Sequence, residues 1–385
     1  MTFDKETLTN KIFLEQALSF NNRGLVATAA GDVKTGAFPQ ENGDVFLRLS
    51  FPKARAVIVR FSVSRKVTAD VELTNRGDGI FEGTLPFDER LTGPANVTVT
   101  VDGAEVLSPE LPVIWGGNKP ANNVEIPDPD MDYLLIKDVP HGALTRELFW
   151  SNATHNWERC MIYTPPGYQK STEDYPVLYL LHGGGDNEMM WEYVGRMSHI
   201  LDNLLAAGEA VPFLVVMCND MIRKDGFVGM PVDDTVERLL VEDCIPFVEA
   251  NYRARTDKWD RAIGGLSMGS FMTSDIAFGH PELFGSLGNF TAGMTAGDLK
   301  MTYTRPWPDF MAKGAAHFAS CFKLYFRSTT PQEDHLEYFE ADDAICEKAG
   351  VSALPCYHRT LYPARTSKWN SWRMGLRDYA KLLFK

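Results

Sequence analysis

Three short runs in the first third of the chain, "DVFLRLSF", "AVIVRFSV" and "NVTVTVDG", are rich in Val, Phe and Thr in the manner of short strands. Turn signals such as "NRGDG" separate them, so residues 24–115 are expected to fold as a small β-sandwich. Ahead of it, Leu8, Ile12, Phe13 and Ala17 recur at helical spacing. This predicts a helix over Lys5 to Phe20, within an N-terminal segment of 1–23. Behind it, "GGNKPANNVEIPDPD" is rich in Pro, Gly, Asn and Asp and reads as a linker over 116–130.

From residue 131 the texture changes. "YPVLYLLHGGG", "VPFLVVMCND", "RAIGGLS", "LFGSLGNFT", "FKLYFRS" and "CYHRTLYP" hold apolar runs of strand length. Between them lie longer helical patterns such as "RMSHILDNLLAAG" and "TVERLLVEDCIPFVEANY". Fully apolar strands alternating with helices imply a mostly parallel sheet covered on both faces, so 131–385 is expected to be an α/β domain.

Composition narrows the classes. The 385 residues are 44% hydrophobic and 23% charged, enough for two globular cores. A formal net charge of −13 argues against nucleic acid or an anionic membrane surface as partner. No apolar run is long enough to span a bilayer. Cys160, Cys218, Cys244, Cys321, Cys346 and Cys356 form no CxxC pair, so a zinc site or disulfide framework is not expected, nor is a cofactor. The thiols are expected to be reduced and buried. "MTFDKETLTNKIFLEQALSFNN" lacks the basic start and apolar core of a signal peptide, which makes the cytoplasm the default expectation.

One motif carries chemistry. Gly265-Leu266-Ser267-Met268-Gly269 fits Gly-x-Ser-x-Gly, with a buried strand before it and a helical pattern after it. That is the context of a nucleophile elbow, where glycines let strand and helix approach and the helix N-terminus faces developing negative charge. The competing reading is a Gly-rich turn with an incidental serine. His182-Gly183-Gly184-Gly185 after "PVLYLL" matches the HGGG-type motif. Its backbone N–H groups at Gly183 and Gly184, with that of Met268, would form an oxyanion hole. His182 itself is read as shaping that loop.

With these motifs, "VPHGALTRELFWS", "WERCMIYTPPGY", "ILDNLLAAGEAVPFLVVM" and "HPELF" make the chain resemble the esterase D group of α/β-hydrolases. This group includes feruloyl and acetylxylan esterases of carbohydrate esterase family one, with enterochelin esterases as relatives. The resemblance extends from about Val139 to Phe284 and continues more faintly to the C-terminus. The region before it resembles the family-48 carbohydrate-binding-like, or immunoglobulin-like, domain often fused to such esterases. The implied fold is an α/β-hydrolase preceded by a small β-sandwich. The implied activity is hydrolysis of acyl or feruloyl esters of carbohydrates with Ser267 as nucleophile.

The resemblance breaks at the other two triad members. Relatives carry an acid after the strand that here runs into "TTPQEDHLEYF"; Asp334 is the best match and Glu333 the second, while an ungapped alignment puts Gln332 there. They end with a Gly-His-x-Trp type motif, and aligning Trp369 and Trp372 leaves Ser367 in the place of the catalytic histidine. A serine cannot act as the base near neutral pH. Among the eight histidines, His182 and His280 have structural readings, and His141, His155, His199, His317 and His358 lie in unsuited places. His335 is the one candidate for a substitute base, against a solvated loop histidine. Three readings stay open: a weak or unconventional esterase, a degenerate ligand-binding member, and a different reaction that uses the oxyanion hole.

Residues 1–114 contain neither Trp nor Tyr, so the N-terminal domain is not expected to bind glycans itself. It reads as a scaffold that packs on the hydrolase domain, walls its cleft or joins a homodimer. Trp191 and "MIRKDGFVGMPVDD" are candidates for the cleft rim, Trp191 being equally a packing residue.

Overall fold

A computed structural model of the chain describes residues 35–224, 227–229, 233–295 and 305–385. The helix expected over Lys5 to Phe20 lies outside the described residues. The chain divides into two compact units: Met1–Lys137 with Pro363–Asn370, and Asp138–Tyr362 with Ser371–Lys385.

The first unit holds β1 (Gly36–Pro39), β2 (Val45–Ser50), β3 (Val57–Ser62), β4 (Thr68–Gly77), β5 (Ile80–Leu85), β6 (Gly93–Val101), β7 (Ala104–Val106), β8 (Val113–Gly116) and β9 (Lys119–Ile126). They form one antiparallel path, β1-β2-β5-β4-β3-β6-β9-β8, with β7 beside β6. The path runs through two sheets, β1-β2-β5-β4 and β4-β3-β6-β9-β8, that share one strand. The shared strand is β4, ten residues long, which pairs with β3 along its first half and with β5 beyond it. The register shifts between Asn75 and Gly77, where Gly77 has φ +102°. Strict alternation in β3 sends Val57, Val59 and Phe61 into a core with Leu47, Phe81 and Val99, while Ile58 and Arg60 face outward.

The expected linker over 116–130 is also corrected, because β9 occupies Lys119–Ile126 and pairs with both β6 and β8. Its turn-forming asparagines bind neighbouring backbone instead of marking a boundary. Asn122 accepts from the Ser108 N–H at 2.9 Å and donates to the Ser108 carbonyl at 2.8 Å.

The second unit is built on β10 (Ala143–Ser151), β11 (Asn156–Thr164), β12 (Val177–Leu181), β13 (Leu214–Cys218), β16 (Arg261–Leu266), β17 (Ser286–Phe290), β18 (Leu324–Thr329) and β19 (Tyr357–Leu361). The order is β10-β11-β13-β12-β16-β17-β18-β19. β10 and β11 run antiparallel and the remaining six are parallel. A separate hairpin, β14 (Ile222–Lys224) with β15 (Phe227–Gly229), lies within the stretch expected at the cleft rim.

The helices are α1 (Met190–Tyr193), α2 (Met197–Ala206), α3 (Thr235–Arg238), α4 (Ile245–Asn251), α5 (Met268–Gly279), α6 (Trp307–Ala312), α7 (Gly314–Cys321), α8 (Leu336–Lys348) and α9 (Lys368–Leu382). Every residue of β12, β13, β16, β17 and β18 is buried, and β12 and β13 read as unbroken apolar runs for that reason. No helix among the described residues is long and apolar enough to cross a membrane.

Candidate active site

β12 and β16 lie side by side in parallel register, Leu181 opposite Gly265. Their carboxyl ends therefore deliver His182 and Ser267 to the same edge of the sheet, where open α/β sheets bind ligands. Ser267 stands between β16 and α5 with φ +50° and ψ −120°, a conformation a non-glycine residue rarely adopts. Holding it costs about 1–3 kcal/mol, and it persists because the surroundings leave no alternative. A Cβ on Gly265 would meet the Gly269 carbonyl oxygen at 2.4 Å, and one on Gly269 would meet the His182 carbonyl oxygen at 2.3 Å. Both are backbone atoms that cannot step aside. The two glycines are thus required by the crossing of strand, helix and loop.

The glycine loop abuts the elbow directly. A Cβ on Gly183 would lie 3.2 Å from the Ser267 Cβ, and one on Gly184 would lie 3.2 Å from the Met268 Cγ. Met268 opens α5, so its N–H belongs to the first turn, whose donors have no intrahelical partner.

Behind the loop, the buried His182 ring donates from Nδ1 to the Gly183 carbonyl at 2.9 Å, and its Nε2 accepts from the Asp220 N–H at 3.2 Å. Burial pushes its pKa down to about 4, so the imidazole is neutral. The Asp220 carboxyl approaches Nε2 at 3.1 Å, but this is no ion pair. Burial, and secondly the nearby Asp186 charge, raise the Asp220 pKa well above the ordinary value. The two buried side chains brace the loop from behind. Sequence reasoning gave His182 its shaping role but missed Asp220; its signal was an acid two residues past the fully apolar "LVVMC" strand.

The loop after β18 holds the three candidates for the acid. Glu333 and Gln332 are buried, Asp334 is half-buried, and the Asp334 N–H bonds Glu333 Oε1 at 3.1 Å. No hydrogen bond joins the neighbouring His335 to Ser267 among the described residues. The His335 ring is exposed, stacks on Tyr338 at 5.1 Å between centroids, and lies 3.7 Å from Glu337. Among the described residues, no side chain hydrogen-bonds the Ser267 hydroxyl.

Trp191 is corrected as a substrate contact too. It is buried, donates from Nε1 to the Leu181 carbonyl at 2.9 Å, and packs edge-on against Phe290. The indole has an acceptor inside the fold, so it props β12 instead of facing ligand.

Ser367 groups with the first unit, in the segment Pro363–Asn370. It is fully buried, and its hydroxyl has no hydrogen-bond partner among the described residues. Its neighbours in sequence are tied down: Arg365 pairs with Asp130, and Asn370 Nδ2 donates to Asp128 at 2.7 Å.

A second network stiffens the sheet beyond β17. Asp342 on α8 accepts from the N–H groups of Gly293, Met294 and Thr295 at 2.6, 3.0 and 2.7 Å. Arg327 on β18, fully buried, bonds Asp343 at 2.5 Å and the Tyr357 hydroxyl at 2.9 Å, with Asp342 3.7 Å away. Among the described residues no group of His, Cys, Asp and Glu side chains is arranged to hold a metal ion.

The strained serine, the glycine loop and the parallel sheet together define an α/β-hydrolase fold. Residues 151–319 match the family model described as putative esterase. The chain is 34% identical over 267 residues to an endo-1,4-beta-xylanase/feruloyl esterase of Xylanibacter ruminicola, a match covering 66% of this chain but 36% of that protein. A 117-residue stretch is 33% identical to an esterase of Mycobacterium tuberculosis, covering 29% of this chain and 24% of that one. The chain thus spans about a third or less of the length of these relatives.

Among solved structures, the fold matches a ferulic acid esterase from Anaeromyces mucronatus at TM-score 0.56 and 19% identity, over 67% of this chain and 96% of that one. It also matches an enterobactin esterase from Shigella flexneri at TM-score 0.62 and 14% identity, over 87% and 92%.

Proposed function

We propose that the protein is a serine esterase of low or unconventional efficiency that acts on acyl or hydroxycinnamoyl esters of carbohydrates. The observation that carries this reading is the strain at Ser267: a side chain is held at φ +50° directly against a glycine loop. Such strain is stored where it presents a group to substrate. In this account Ser267 Oγ attacks the ester carbonyl, and the N–H groups of Met268, Gly183 and Gly184 stabilise the oxyanion. The relatives named as feruloyl esterases supply the substrate class.

The unpartnered hydroxyl supports the low efficiency. Without an imidazole beside it, acylation loses the general-base contribution of about 10²–10⁴-fold. The same observation favours a second reading, in which the site binds a carbohydrate ester and scarcely turns it over.

Turnover of p-nitrophenyl acetate and methyl ferulate by the parent, Ser267→Ala and Ser367→His separates the two. The esterase reading expects slow parent turnover that Ser267→Ala removes. Turnover indistinguishable between the parent and Ser267→Ala would leave ligand binding alone.

A further inference from the structure

β10 is an edge strand, and one face of the β10–β11 hairpin carries exposed apolar side chains. Trp150 and Trp157 are direct cross-strand partners, 49% and 62% exposed, with ring centroids 6.0 Å apart and planes at 80°. Leu148 and Leu144 continue the same face along β10, also exposed. Their intervening partners alternate inward, Phe149 to the sheet core and Ser151 to Asp243. Two exposed tryptophans on a short hairpin are not needed for the fold. A single scattered apolar side chain would need no explanation, but a contiguous aromatic pair marks a binding surface.

We propose that Trp150 and Trp157 form a docking platform for a neutral polysaccharide chain. This inference rests on the carbohydrate-ester reading above and names how the bulk of that substrate is held.

The extent of the patch selects the occupant. At about 150–250 Å² for a whole aromatic side chain, the exposed parts of the two rings offer roughly 200 Å². A stable interface between copies of the chain needs about 800 Å² per partner. Even with the two leucines the patch falls well short of that, while it suits one or two sugar rings. A pyranose presents C–H groups on its face and hydroxyls around its rim. The C–H face suits the electron-rich face of an indole. The hairpin turn supplies polar groups for the rim, since Asn152 and His155 are exposed beside the tryptophans.

The platform is also rigid. Asp243, buried beneath the turn, accepts from Ser151 Oγ at 2.7 Å and the Ala153 N–H at 3.1 Å. Thr154 N–H in turn bonds Ser151 Oγ at 3.1 Å. A turn held in this way presents the rings without an ordering cost on binding. Glycan recognition thus falls to the unit that has exposed tryptophans, in keeping with the dearth of Trp and Tyr in residues 1–114.

The test is native affinity electrophoresis of the full chain in gels with and without soluble arabinoxylan. The parent should be retarded. Trp150→Ala and Trp157→Ala should each bind about tenfold more weakly, the loss typical of a truncated aromatic anchor. The double variant should migrate freely, and Trp157→Tyr should retain part of the retardation. All of them should still unfold in one cooperative transition, as read by thermal unfolding.

A parent that arabinoxylan does not retard, or a double variant retarded like the parent, would overturn the platform. So would light scattering that shows a parent dimer converted to monomer by the double substitution, which would make a second copy the occupant. If Trp-dependent retardation holds while no Ser267-dependent turnover exists, the platform stands and the esterase reading falls.

Discussion

The elbow and the segment Pro363–Asn370 correspond, by the resemblance, to the nucleophile and the base of an esterase, and the two are held in different ways. At the elbow the crossing is enforced by backbone: Gly265 and Gly269 face main-chain atoms that leave no room for a side chain, and Ser267 is held strained. In Pro363–Asn370 the residues are committed to the first unit instead, through Arg365 to Asp130 and Asn370 to Asp128, with Ser367 buried where the resemblance places a histidine. Backbone crossings are part of how the sheet folds and are not readily altered. A loop that contributes one imidazole can be redirected by substitution while the core stays intact.

Breaking the elbow should have the largest effect. Gly269→Val would force a side chain against the His182 carbonyl, and Gly265→Val against Gly269. Each should cost more than about 4 kcal/mol and yield little folded protein, as read by urea or thermal unfolding.

Arg327→Met should follow. It leaves the buried Asp342 without its guanidinium and Asp343 with Arg359 as its remaining partner. A loss of about 3–5 kcal/mol is expected in denaturant titrations.

The brace behind the loop gives a pH signature. His182 has a folded pKa below its unfolded value, so it adds stability as pH rises from about 4 to about 6.5. Asp220 has a folded pKa above its unfolded value; the unfolded chain loses that proton first, and stability falls as pH rises above about 4. The two slopes oppose each other where both groups titrate. Asp220→Asn should remove the opposing fall and expose the His182 rise between about pH 4 and 6.5. Each slope is at most about 1.4 kcal/mol per pH unit, measurable by chemical denaturation across pH.

His335→Ala should do least, within about 0.5 kcal/mol in stability and with no change in turnover, because its ring contacts Tyr338 and Glu337 on the surface.

Much of this was legible in the sequence. The Gly-x-Ser-x-Gly and HGGG stretches are local signals whose meaning depends only on the strand before and the helix or loop after. The buried parallel strands announced themselves as apolar runs for the same reason. What the sequence hid depends on partners distant in the chain. The asparagines of β9 look like linker residues until Ser108 is brought beside Asn122. Trp191 looks like a rim aromatic until its N–H finds the Leu181 carbonyl. Composition could not reveal that an acid two residues past an apolar strand is buried beside His182, as Asp220 is.

The central claim, a presented serine without its base, is tested most directly by the rate at which an organophosphonate probe labels Ser267. The account predicts slow labelling of the parent, none of Ser267→Ala, and acceleration by Ser367→His of about 10²-fold or more where the restored imidazole reaches the hydroxyl. Rapid labelling of the parent at neutral pH, at the rate of an ordinary serine esterase and unaltered by Ser367→His, would contradict it.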